Sequence, residues 1–89
     1  MRAYLVDDER LAVERLTRLL TATGRVTIVG SSTDPESALE FLRSHPVEVL
    51  FLDIQMPGLT GFQLLEQLDT EAAVVFTTAY DRYAMRRSA

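Results

Sequence analysis

The sequence predicts an α/β protein in which helices cover both faces of a parallel sheet, and three observations predict it. Short apolar runs that suit strands alternate in order with amphipathic stretches that suit helices. Two of the runs, "AYLV" and "VEVLFLD", stop at acids, the first against Asp7-Asp8 and the second on Asp53. The segment Val49 to Leu52 is apolar without a break, which marks a strand buried on both faces, as the centre of a parallel sheet requires. Such alternation implies right-handed crossovers and three layers, helix on sheet on helix.

The elements follow one another along the chain. "AYLV" is the first strand. In "ERLAVERLTRLLTATG" the period changes: Ala12, Leu16, Leu19 and Leu20 share a helical face, and Glu14 and Arg18 are spaced to pair on the wet side. Gly24 is a C-terminal stop. "RVTIVG" is the second strand. Asp34 and Pro35 open the next helix as cap and first residue, with Ala38, Leu39, Phe41 and Leu42 as its apolar side. Pro46 ends it and "VEVLFLD" is the third strand. Thr60 or Gly61 starts a third helix lined by Leu64, Leu65 and Leu68, and "AAVVFTT" is the fourth strand. The closing "YDRYAMRRSA" has the pattern of a short amphipathic helix, with Tyr80 and Tyr83 spaced to pack on its surface.

Composition narrows the function. The 89 residues suit one small domain whose core has little margin, since a chain of this size buries only roughly 60–65% of its unfolded surface. A net charge of −4 argues against nucleic acid or an anionic membrane as partner of this segment. There is no cysteine, which excludes disulfides, thiolate metal sites and cysteine nucleophiles. No apolar run reaches the ~20 residues that span a bilayer, and "MRAYLVDDER" lacks the apolar core of a signal peptide, so the cytoplasm is the expected location. His45, between a helix end and Pro46, reads as a solvated loop residue.

In doubly wound sheets, function gathers beyond the carboxyl ends of the strands where the strand order reverses. In the flavodoxin-like order that point lies between the first and third strands, so Asp7, Asp8 and Asp53 converge there, with Thr77-Thr78 next to them. Singly, Asp7 and Asp8 are acids favoured at a helix N-terminus, and Asp53 is a turn-forming aspartate. Together they are like charges that need a cation between them. A hard divalent ion such as Mg²⁺ suits carboxylates, waters and phosphate oxygens, and supports in-line phosphoryl transfer to a carboxylate nucleophile.

The motifs "LVDDE", "LFLDIQMPGLTGF" and "VVFTTAYDRYA" resemble the receiver domain of two-component response regulators, the CheY-like fold, over Ala3 to about Met85. "DDERLAVERL" and "TTAYDRYA" are similar to the wording of regulators with a LytTR-type DNA-binding output domain. The resemblance implies that Asp53 accepts a phosphoryl group from a sensor histidine kinase. It also implies that Asp8 and Asp53 hold Mg²⁺ directly, Asp7 holds it through water, and Gln55 adds its backbone carbonyl. Thr78 would hydrogen-bond the phosphoryl group and act as the switch, while Pro57 and Gly61 would shape the loop into the third helix. The expected architecture is a single receiver domain over residues 1–89, a parallel sheet of order 2-1-3-4 without the family's fifth strand and helix.

The family's fifth strand carries a lysine that pairs near the phosphoacceptor, and this sequence has nine arginines and no lysine. A second expectation is therefore a pseudo-receiver, an interaction module that keeps the fold without productive phosphorylation. An apolar fourth strand at a sheet edge further suggests a homodimer or domain-exchanged oligomer through that strand and the last helix. A dehalogenase-type phosphatase would need a second acid two residues after the nucleophile, where Gln55 stands. Flavin binding would need a hydroxyl-rich loop in place of Asp7-Asp8. The chemistry expected is regulatory rather than enzymatic.

Overall fold

The computed structural model describes residues 1–77. Strand β1 (Arg2–Val6) leads to helix α1 (Arg10–Thr23), then β2 (Thr27–Ser32), α2 (Pro35–Ser44), β3 (Val49–Asp53), α3 (Gly61–Gln67) and β4 (Ala73–Thr77). All neighbouring strands are parallel and their order is β2-β1-β3-β4, as the sequence predicts. The expected terminal helix, with Tyr80 and Tyr83, lies outside the described residues, as does Thr78.

The central strands take their apolar character from burial on both faces. Tyr4 and Val6 on β1 and Leu50 and Leu52 on β3 point toward α2 and α3, where they meet Leu39, Leu42, Met56, Leu64 and Leu68. The alternate residues Ala3, Leu5 and Val49 are buried on the opposite face, where α1 packs over β1 and β2. Tyr4 stacks on Phe41 of α2 with ring centroids 4.7 Å apart.

Local chemistry sets the helix boundaries. The Asp34 carboxylate accepts the Ser37 N–H at 3.2 Å, and Pro35 follows as the first residue of α2, where its missing N–H leaves nothing unsatisfied. Thr60 and Gln63 form a reciprocal capping box that starts α3. Gly24 ends α1 at φ 72°, a left-handed conformation that favours glycine.

Two details differ from the sequence expectation, and a third adds to it. The buried face of α1 centres on Val13, and Leu19 is 61% exposed. At 100° per residue Leu19 lies about a sixth of a turn beyond the edge of the arc through Val13, Leu16 and Leu20, so its position beside Leu20 in sequence misleads. The second strand runs from Thr27 to Ser32, two residues later than "RVTIVG" suggests, because Ser31 and Ser32 continue the pairing with β1. His45 is exposed but not free. It caps α2, stacks on Phe41 at 4.2 Å and brings Nδ1 to 3.0 Å from the Phe41 carbonyl.

Replacing Leu50, which is fully buried, by alanine is expected to cost about 3 kcal/mol of unfolding free energy. Leu11→Ala, at a position 74% exposed on α1, should stay within about 0.5 kcal/mol of the parent. Urea denaturation of the two variants checks the assignment of core and surface.

Candidate functional site: an acidic cluster at the strand ends

Because β1 and β3 are adjacent and parallel, their carboxyl ends open on the same crevice. β3 ends on Asp53 itself, and β1 hands over to Asp7 and Asp8 directly after Val6. One carboxylate oxygen from each of Asp7, Asp8 and Asp53 lies within 4.8 Å of the other two. The three acids that the sequence singled out are thus brought together.

Their electrostatics follow from this crowding. Asp53 is 7% exposed, and burial, reinforced by the neighbouring charge of Asp7, pushes its carboxyl up to about 6. The Gln55 N–H, 3.4 Å from Asp53 Oδ1, only partly opposes the rise. Asp7 is raised as well, by burial first, although its Oδ1 accepts the Glu9 N–H at 2.9 Å. A hard cation relieves this repulsion, and carboxylate oxygens are the donors Mg²⁺ prefers. The donor set therefore fits the ion that the motifs imply.

The loop after Asp53 is held from both ends. Met56 turns inward and is 6% exposed in the core. Gly58 takes φ 81°, which lets the chain reverse after Pro57. The Gly61 N–H donates to the Ile54 carbonyl at 2.8 Å. A Cβ at Gly61 would lie 2.5 Å from the Asp53 carbonyl oxygen, so only glycine lets α3 begin this close to the acid.

Gln55 is exposed beside the cluster, and its contact with it is through its own N–H. Thr77 pairs with Asp53 in register, and its carbonyl accepts the Ile54 N–H at 3.2 Å, so β4 ends next to the acid. Thr78 follows outside the described residues. The part played by Met56 was missed from sequence. Its signal was a long apolar side chain directly before the Pro57-Gly58 turn, three residues after Asp53.

Ionising Asp53 is harder in the folded chain than in the unfolded one, where 3.8 is the ordinary value. Its contribution to stability is therefore intact below that value and is lost as the pH rises through about 6. In the presence of a chelator, Asp53→Asn is expected to raise stability near neutral pH and to flatten the decline between about pH 4 and about pH 7. Urea midpoints measured across that range check this, and an equal decline in both proteins would contradict it.

Comparison with known proteins agrees with this geometry. The response regulator receiver domain family matches residues 3–89. An uncharacterized response regulatory protein of Vibrio cholerae is 42% identical over 88 residues, covering 97% of this chain and 37% of the relative. The sensory transduction protein LytT of Bacillus anthracis is 39% identical, covering 97% of this chain and 36% of its own length. The chain thus spans about a third of the length of these relatives. Among solved structures, the response regulatory domain of mrkE from Klebsiella pneumoniae superposes with a TM-score of 0.79 at 34% identity, covering 99% of this chain and 75% of that one. The CheX-CheY-BeF3-Mg²⁺ complex from Borrelia burgdorferi gives 0.80 at 26% identity, covering 98% and 68%. With acids, strand order and motifs in agreement, the chain belongs to the response regulator receiver domain family.

Proposed function

We propose that this chain is a phosphoacceptor module that takes a phosphoryl group from a sensor histidine kinase onto Asp53. The observation that carries the reading is a buried carboxylate at the end of β3, with the oxygens of Asp7 and Asp8 within 4.8 Å. In the reaction, an Asp53 oxygen forms a bond to phosphorus as the bond between phosphorus and the donor imidazole nitrogen breaks. The leaving imidazole takes up a proton from solvent. Asp8 and Asp53 would hold Mg²⁺ directly, with Asp7 through water and Gln55 through its carbonyl. The ion, when bound, supplies positive charge that offsets the charge on the transferring oxygens. The relative from Borrelia was solved with Mg²⁺ and BeF3, a phosphoryl mimic, which supports the same use of the site here. Thr78, directly after β4, would hydrogen-bond the phosphoryl group and report it.

The chain's own groups prepare the step. Asp53 is held in a largely buried position at the end of β3, and Gly61 packs close against its main-chain carbonyl. The raised carboxyl means that the metal-free acid is a ready nucleophile only above about pH 6. The chemistry is regulatory, and the relatives' longer chains, named LytT in Bacillus anthracis and transcriptional regulatory protein BtsR in Salmonella, support a role in signalling to transcription. Among the described residues no helix is long and apolar enough to cross a membrane.

A second reading is an interaction module that keeps the fold and the acidic cluster without productive phosphorylation. Incubation with Mg²⁺ and a small phosphodonor, followed by intact-mass spectrometry, separates the two. The first reading expects one phosphoryl adduct that Asp53→Asn abolishes; an unmodified parent protein would leave the interaction module.

Assembly is a further part of the proposal. In the described sheet β4 is an outer strand, and it carries Val75, 43% exposed. A homodimer or domain-exchanged oligomer through β4 and the segment after it is the expected form. Light scattering should show mass rising with concentration, and a monomer mass at every concentration would reject this.

A further inference from the structure

The pairing of β1 with β2 is out of step by one residue. Ala3 faces Ile28, but Tyr4 faces Gly30, which leaves Val29 as an extra residue in the outer strand. From there on, Leu5 faces Ser31 and Val6 faces Ser32. Had the first register continued, Val6 would have faced Ser31 and Ser32 would lie one place further on. The bulge therefore selects which serine stands beside the start of the acidic cluster.

Glycine makes this register possible. A Cβ at Gly30 would lie 2.8 Å from Tyr4 Cε1 and 3.2 Å from Cδ1, inside the aromatic ring's contact distance. Tyr4 is itself pinned against Phe41, so the ring has no easy retreat.

Ser32 is held more tightly than an ordinary strand end. Its hydroxyl donates to the Asp34 carbonyl at 2.9 Å and accepts the Asp34 N–H at 3.0 Å, which closes the turn into α2. Its side chain also lies against the Tyr4 phenol, where it opposes the upward push of burial. Its carbonyl, so oriented, accepts the Asp7 N–H at 3.2 Å. Asp7 is then fixed at two points, by Ser32 on the main chain and by the Glu9 N–H on the carboxylate.

We infer that Ser32, placed by the bulge at Val29 and the glycine at position 30, is a positioning residue that holds Asp7 in the cation-binding cluster. This rests on the reading of Asp7, Asp8 and Asp53 as a Mg²⁺ site. Ser32 touches neither the ion nor the phosphoryl group; it acts through the Asp7 backbone. Groups that orient a metal's ligands affect affinity without contacting the metal. Ser31, the exposed neighbour in the same strand, is the natural control.

The test compares Ser32→Ala, Ser31→Ala and Ser32→Thr with the parent chain, by calorimetric titration with MgCl₂ and by amide exchange in NMR. Ser32→Ala is expected to weaken Mg²⁺ binding about tenfold and to speed exchange at the Asp7 amide more than at Leu50 in the core. Ser31→Ala should match the parent in both, and Ser32→Thr, which keeps the hydroxyl, should recover both. Identical behaviour of the two alanine variants would overturn the inference, as would a uniform gain in exchange across Asp7 and Leu50. If the parent binds no Mg²⁺ while Asp7 alone loosens in Ser32→Ala, the metal reading fails and the positioning role stands.

Discussion

Three carboxylates with oxygens within 4.8 Å of one another repel, and no local preference of the chain would hold them there. They stay together because β1 and β3 are adjacent parallel strands buried on both faces, and their common end delivers Asp7, Asp8 and Asp53 to one place. The free energy that enforces this comes from the side chains that point elsewhere. Tyr4, Val6, Leu50 and Leu52 face one layer of helices, and Ala3, Leu5 and Val49 face the other. Packing holds the repulsion in check, and burial first, with the Asp7 charge second, keeps the Asp53 carboxyl raised.

The loop after Asp53 and the turn after β2 approach the cluster from opposite sides and do comparable work by different means. On the loop side, Met56 is an apolar anchor, and the Gly61 N–H bond to Ile54 closes the span. On the turn side, polar bonds through Ser32 and Asp34 set the backbone beside Asp7. Both supports also begin a helix: Thr60 caps α3 and Asp34 caps α2. The acidic cluster and the helix starts are therefore parts of the same local structure.

Much of this was legible in the sequence, for identifiable reasons. Asp34-Pro35 marked the start of α2 because cap and N1 preferences are local, and Val49 to Leu52 marked a central strand because two-sided burial removes polar residues. The acids were legible through the order of the strands. The bulge at Val29 was not, because it depends on Tyr4 and Phe41, which are distant in sequence from each other and from Gly30. The face of α1 was misjudged at Leu19 because residue type alone does not reveal which arc the sheet will cover. His45 is the exposed residue past the helix end that the sequence suggested, but its stacking on Phe41 was not legible because it exists only once α2 has formed.

The close approach at Gly61 has one more consequence. Hinges need clearance, and between the Asp53 carbonyl and the first residue of α3 there is not room for a methyl group. The main chain of Asp53 and the opening turn of α3 meet as a butt joint, without a gap to take up slack. A shift of the acid's backbone cannot be absorbed at that seam, so the helix has to travel with it.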